Sequence, residues 1–176
     1  GLLALMGQCA LPVPAVSAEI PFYRGIFVDV GDEQSIEASL STYSSHMKRL
    51  IQITQEADDT SLVLIDEIGS GTDPQEGAAL AKAIISYLLD RGATLLLSTH
   101  YGELKTFGKA RDDITLASVG FDMETMQPTY HLTLHSVGMS YAFEIAESLG
   151  LKDEIVKAGL AYKEESVTQE AKLMEK

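Results

Sequence analysis

The stretch Leu62-Val63-Leu64-Ile65-Asp66-Glu67-Ile68-Gly69-Ser70-Gly71-Thr72 decides how the rest of the chain is read. Its four leading apolar residues run without alternation, the pattern of a strand covered on both faces. Two carboxylates follow where that strand ends, and a loop rich in glycine follows them. From residue 75 to 91, Leu80, Ile84 and Leu88 recur every four positions beside Ala79, Ala83 and Tyr87, which predicts an amphipathic helix ended by Gly92. Residues 94–98 form a second apolar run that leads into Ser98-Thr99-His100. Strand, helix, strand in this order is the crossover unit of a parallel sheet.

Upstream, residues 1–10 read as a buried helix that begins abruptly, without a capping residue ahead of it, so that the chain reads as starting inside an element. Pro12, Pro14 and Pro21 break it into an extended connection. Residues 25–31, with Ile26, Phe27, Val28 and Val30, predict a buried strand, and residues 41–57 a helix offering Tyr43, Met47, Leu50, Ile51 and Ile53 to one side. Downstream, residues 114–121 and 129–134 alternate and suggest an antiparallel pair near the sheet edge. Residues 142–149 and 153–162 predict two short helices parted by Gly150, and the chain turns polar after Lys163. One compact domain with a ragged tail is expected.

With 176 residues, 45% of them hydrophobic, the chain can fill a single core. A net charge of −13 repels a phosphate backbone, so nucleic acid is expected to be bound by other segments. The single Cys9 forms no internal disulfide; it reads as a small core residue and suits a reducing cytoplasm. Ala15-Val16-Ser17-Ala18 resembles a signal-peptidase site, but neither an initiating Met nor a basic region precedes it. No apolar run reaches the roughly 18 residues of a membrane span, and a soluble protein is expected.

Ligands bind at the carboxyl edge of α/β sheets. Asp66 at that edge can hold Mg²⁺ or one of its waters, and Glu67, pointing elsewhere, can act as the base that polarises an attacking water. The plainer alternative is an acidic pair that caps the following turn. Gly69, Gly71, Asp73 and Pro74 form a turn of unusual backbone freedom, and His100 ends the neighbouring apolar strand, where an imidazole can reach a γ-phosphate. A lone histidine is otherwise an ordinary surface or core residue. His46, His131 and His135 show no metal-ligand spacing and read as structural.

Asp66-Glu67-Ile68-Gly69-Ser70-Gly71-Thr72 with Ser98-Thr99-His100-Tyr101 resembles the Walker B, D-loop and switch-histidine segments of MutS ATPases. Gly31-Asp32-Glu33-Gln34-Ser35-Ile36, Ser39-Leu40-Ser41-Thr42-Tyr43 and Asp73-Pro74-Gln75-Glu76-Gly77 resemble the bacterial MutS-two branch. Mismatch-repair MutS proteins usually read Arg-Ser-Thr-Phe and Gly-Arg-Gly-Thr where this chain has Leu40-Ser41-Thr42-Tyr43 and Gly69-Ser70-Gly71-Thr72. Residues 132–138 depart from the Pro-Gly-Arg-Ser wording expected of the branch.

The resemblance implies an ABC/MutS-type P-loop NTPase fold, with a central, mostly parallel sheet flanked by helices. It implies an ATPase domain over residues 1–137 truncated on its N-terminal side, a helical dimerisation segment over 138–164 and a polar tail over 165–176. ATP and Mg²⁺ are the implied cofactors, with Asp66 on the metal and Glu67 and His100 catalytic. Ser41 would face the γ-phosphate bound by a partner subunit, and Asp73 would make a contact across the dimer. Taken by itself, Ser41 is an ordinary helix cap. No Gly-x-x-x-x-Gly-Lys-Ser/Thr loop occurs in these 176 residues, and the family places it just before the helix at Gly1, so these residues alone are expected to be inactive. The family further implies a homodimer acting on branched DNA or collided ribosomes through other regions, with suppression of recombination as one role. Two other readings compete. A transporter ATPase would carry Leu-Ser-Gly-Gly-Gln where Leu40-Ser41-Thr42-Tyr43-Ser44 stands, and a non-catalytic dimerisation module would leave the acidic loop vestigial.

Overall fold

Backbone pairing begins from the most apolar strand. In the computed structural model, which describes residues 1–30, 39–138 and 140–174 (without side chains for 39–42 and 164–174), β2 (Ser61–Ile65) lies between β1 (Gly25–Asp29) and β3 (Thr94–Leu97) in a three-stranded parallel sheet. The register aligns Asp29 with Ile65 and Ile65 with Leu97, so the three strands end level. Four of the five β2 residues are buried, as an apolar run without alternation predicts. Strand β3 departs from that expectation: it alternates and leaves Leu96 59% exposed, because it stands at the edge of this sheet. Val28 of β1, the other edge, is likewise half exposed.

Helix α2 (Ser39–Glu56) leads from β1 to β2 and buries Leu50 and Ile53, while Ile51 points outward. Before β2, the carboxylate of Asp58 accepts from the hydroxyls of Thr60 and Ser61 and from the Thr60 N–H. Those bonds, the Thr60 hydroxyl foremost, hold its carboxyl below the usual carboxylate range. Helix α3 (Pro74–Asp90) is the crossover to β3, with proline in its first turn and Gly92 at positive φ just beyond its end.

The buried stripe of α3 is Ala78, Ala81, Ile85 and Leu88: of the expected Leu80, Ile84, Leu88 and Tyr87, only Leu88 is fully buried. Small residues let the helix approach the sheet closely, and that contact turns Leu80 and Tyr87 to the flanks, 39% and 47% exposed. Helix α4 (Gly102–Lys109) then packs on α3, with Leu104 buried and Lys82 paired to Glu103 at 3.0 Å.

Helix α1 (Leu2–Gln8) corrects the expectation of a buried helix: only Ala4 is buried, and Leu2, Leu3 and Leu5 are about half exposed or more. A helix of two turns can bury only a strip, whatever its composition. Cys9, expected in the core, is exposed. The Gln8 amide instead pairs with both the N–H and the carbonyl of Tyr23, tying α1 to the segment before β1.

Two compact units, Gly1–Arg111 and Asp112–Lys176, replace the single one expected. In the second, β4 (Ala117–Asp122) and β5 (Gln127–Leu134) pair antiparallel as predicted, but they form a two-stranded sheet of their own rather than an edge of the parallel one. The register shifts between Val119 and Phe121, where the missing Cβ of Gly120 leaves room for Thr129. Phe121 stacks on Tyr141 with centroids 4.8 Å apart, and α5 (Ala142–Ser148) packs on α6 (Asp153–Met174) where Phe143 meets Gly159.

Because Leu88 is fully buried, Leu88→Ala is expected to lower unfolding free energy by about 2–5 kcal/mol in urea titrations. Leu80→Ala should cost markedly less, and an equal cost would mean that α3 presents its other face to the core.

Candidate functional site

The parallel ladder continues one residue past the strand ends. The Asp66 N–H donates to the Asp29 carbonyl at 2.8 Å and the Ser98 N–H to the Ile65 carbonyl at 3.0 Å, which sets Asp66 and Ser98 side by side at the carboxyl edge. The Ser98 hydroxyl donates to the Asp66 carboxylate and accepts from the Glu67 N–H at 2.9 Å. One hydroxyl on β3's continuation thus orients both residues of the acidic pair on β2's. Glu67 has φ +48, a left-handed conformation that a non-glycine residue holds only against a cost of about 1–3 kcal/mol. The Ser98 bond and the buried Ile68 side chain, whose N–H reaches the Ser98 carbonyl at 3.2 Å, fix the chain on either side of that residue. Its side chain is thereby turned out to solvent, 62% exposed, with Oε1 3.9 Å from His100 Nδ1.

The loop after the pair is held by close backbone contact. A Cβ on Gly69 would stand 2.8 Å from the Gly77 carbonyl, and a Cβ on Gly77 would strike the Gly69 carbonyl, so loop and helix start meet only because both are glycine. The Tyr101 hydroxyl donates to the same Gly69 carbonyl at 3.1 Å, and the Tyr101 ring leans on His100 at 4.5 Å between centroids. Gly71 passes Tyr43 of α2.

Asp66, Glu67 and His100 are therefore brought to one edge. Asp73 acts locally, as the N-cap of α3, where its carboxylate accepts from the N–H groups of Gln75 and Glu76 at 3.0 and 3.1 Å. Ser41 lies in the first turn of α2 with its side chain outside the described residues, as does the segment 31–36. His131 and His135 belong to the second unit, on β5 and just after it.

Two contributors escape sequence reasoning. Asp29, only 1% exposed, ends β1, and its Oδ2 takes His46 Nδ1 of α2 at 2.9 Å. Asp29 and His46 line, with Tyr43, Asp66 and Glu67, a small enclosed space of about 20 Å³, room for roughly one water. A signal exists for the first of them: a carboxylate inside the apolar run Phe27-Val28-Asp29-Val30 needs a partner. Ser98, the other, stands out in the sequence only as part of a motif.

A magnesium ion that arrives with a phosphate chain takes one or two carboxylates from the protein and fills its shell with phosphate oxygens and water. Asp66, with its carboxylate oriented by Ser98, fits that demand. When bound, such an ion would neutralise charge on the phosphates; what the chain itself supplies is the orientation of Asp66 by Ser98.

Crossover connection, parallel strands ending level and an oriented acidic pair at their carboxyl edge define a mixed α/β domain built on a three-stranded parallel sheet. Residues 1–166 match the family described as MutS domain V. The chain is 49% identical over 170 residues to the Endonuclease MutS2 of Clostridium beijerinckii, covering 96% of this chain and 22% of that protein. It is 52% identical over 158 residues to the protein of the same name from Geobacillus sp., covering 89% and 20%, and 52% identical over 157 residues to that of Brevibacillus brevis, again 89% and 20%. The chain belongs to the MutS domain V family, and these identities place it with the MutS2 proteins. It spans about one fifth of the length of these curated relatives.

Asp73→Ala removes the cap and is expected to lower stability by about 1 kcal/mol, whereas Asp73→Asn keeps an acceptor and should stay within about 0.5 kcal/mol of the parent in urea unfolding. Equal losses would mean that the charge, not the cap, holds α3.

Proposed function

We propose that this chain is the Mg²⁺-binding and hydrolytic part of an ATPase motor domain whose turnover rearranges a homodimer. The observation that carries the reading is the Ser98 clasp, which orients Asp66 and Glu67 together at the carboxyl edge with His100 beside them. Asp66 would hold the metal, which would supply charge neutralisation at the phosphates. Glu67 accepts a proton from the attacking water, and its left-handed backbone presents the carboxylate to the side where that water arrives. His100, 60% exposed, hydrogen-bonds the γ-phosphate.

Ser41, in the first turn of α2, faces the nucleotide of a partner subunit in this reading, where helix N–H groups and a hydroxyl favour an anion. The capping bonds of Asp73 occupy its Oδ1, leaving the carboxylate's charge for a contact across the dimer. Residues 1–137 make up the ATPase part, and residues 138–164 serve dimerisation. Leu149 and Tyr162, 82% and 70% exposed, and Ile155, 53% exposed, give that segment apolar surface for a partner. DNA or a ribosome is engaged through other regions, since the charge of −13 opposes contact here. No helix among the described residues is long and apolar enough to cross a membrane.

A second reading, a dimerisation module without chemistry, is favoured by the same exposed apolar residues. In the full-length protein, Glu67→Gln is expected to lower ATP turnover by about a hundredfold or more while nucleotide binding persists, and Asp66→Ala to weaken the Mg²⁺-dependent part of binding. Steady-state hydrolysis and titration with a fluorescent ATP analogue measure the two. Unchanged turnover in Glu67→Gln would remove that residue from the role of base, and self-association indifferent to nucleotide would favour the module without chemistry.

A further inference from the structure

Asp29 is a buried carboxylate that the proposed hydrolysis does not use. Burying a carboxylate in a protein interior is costly unless partners compensate it. Both partners here come from one face of α2, three residues apart and so one above the other on the helix. His46 Nδ1 lies 2.9 Å from Oδ2, and Arg49 Nε 3.5 Å from Oδ1, an ion-pair contact that leaves Oδ1 without a hydrogen bond among the described residues. The backbone of the same residue points the other way, its carbonyl accepting the Asp66 N–H at 2.8 Å. Asp29 is therefore joined to α2 through its side chain and to the acidic pair through its main chain.

We propose that Asp29 is a positioning residue that clamps α2 to the carboxyl edge of the sheet, so that the start of α2 and the Asp66-Glu67 pair shift together. The geometry allows little slack. The carboxylate is 1% exposed, and the small pocket it lines with His46, Tyr43, Asp66 and Glu67 has room for about one water, so a slide of α2 would part the carboxylate from His46 and Arg49. A second contact spans the same gap, where Tyr43 of α2 packs on Gly71 of the loop that follows Glu67. Displacement of α2 would strip the buried carboxylate of both partners, and displacement of the strand end would break the Asp66 hydrogen bond. Each is opposed by the other through one residue. The inference rests on the hydrolytic reading for its consequence: Ser41 lies in the first turn of α2, so the clamp ties the element proposed to sense a partner's nucleotide to the residues proposed to cleave the subunit's own.

The test is made in the full-length protein with His46→Gln, a partly exposed position, and Asp29→Asn, which keeps an acceptor oxygen but no charge. Amide hydrogen exchange is followed at residues 43–50 and at Asp66, Ile68 and Ser70, whose N–H groups are bonded. Both groups of amides are expected to exchange faster by about tenfold or more in His46→Gln. Turnover should fall with them, kcat dropping about tenfold with the KM for ATP nearly unchanged, and Asp29→Asn should fall between His46→Gln and the parent. Exchange that is unchanged, or faster in α2 alone, overturns the clamp. Faster exchange at both places with kcat intact overturns the positioning role and leaves a structural ion pair. Glu67→Gln, run alongside, reports separately on the hydrolytic reading: if it turns over like the parent, that reading fails while the exchange result still decides the clamp.

Discussion

The central strand β2 is enclosed by its two parallel neighbours, and the backbone ladder they share does not stop where the strands do. One further hydrogen bond on each side carries it to Asp66 and Ser98. Asp66 and Ser98 are placed by that extension. Asp66 stands beside Asp29 because its N–H completes the β1 ladder, and Ser98 reaches both acidic residues because its own N–H completes the β3 ladder. Parallel strands that end level bring residues distant in sequence to one line, and their unpaired groups there are free to bind ligands.

Beyond that line, the site depends on close approach and on one unfavourable backbone conformation. Gly69 and Gly77 let the loop meet the start of α3 carbonyl against Cα, and the Tyr101 hydroxyl bonds the same Gly69 carbonyl. Glu67 in the left-handed region is the residue that the surroundings over-determine, with a hydroxyl on its N–H and buried Ile68 after it. The outcome is a carboxylate turned outward where the preceding one is held to the sheet. Two neighbouring residues of the same chemistry thereby acquire different roles.

Charge is distributed in keeping with this. The chain carries a net −13, yet the one fully buried carboxylate among the described residues, Asp29, is matched by His46 and Arg49. Asp66, Glu67 and Asp73 remain at the surface, where water screens their charge. Membership of the MutS domain V family gives this acidic edge its meaning as the metal-facing side of a nucleotide site in the proposed reading.

The sequence by itself determined the parallel crossover unit, because two short apolar runs joined by an amphipathic helix with glycine after it read as strand, helix, strand, and a parallel pair needs such a crossover. It also put Asp66, Glu67 and His100 at strand ends, and it marked residues 114–121 and 129–134 as an antiparallel pair by their alternation, which the structure forms over 117–122 and 127–134. Tertiary structure alone decided which stripe of α3 is buried, since Ala78 and Ala81 win the sheet by allowing close approach where hydrophobicity ranks Leu80 higher. Only the fold could show that α1 and Cys9 are largely uncovered, that β4 and β5 keep to a sheet of their own, and that Asp29 meets His46 across 17 residues of chain. Periodicity records what a residue offers to its own element. The partner that accepts the offer lies elsewhere in the chain, and it is fixed by register and packing distance, which local sequence does not encode.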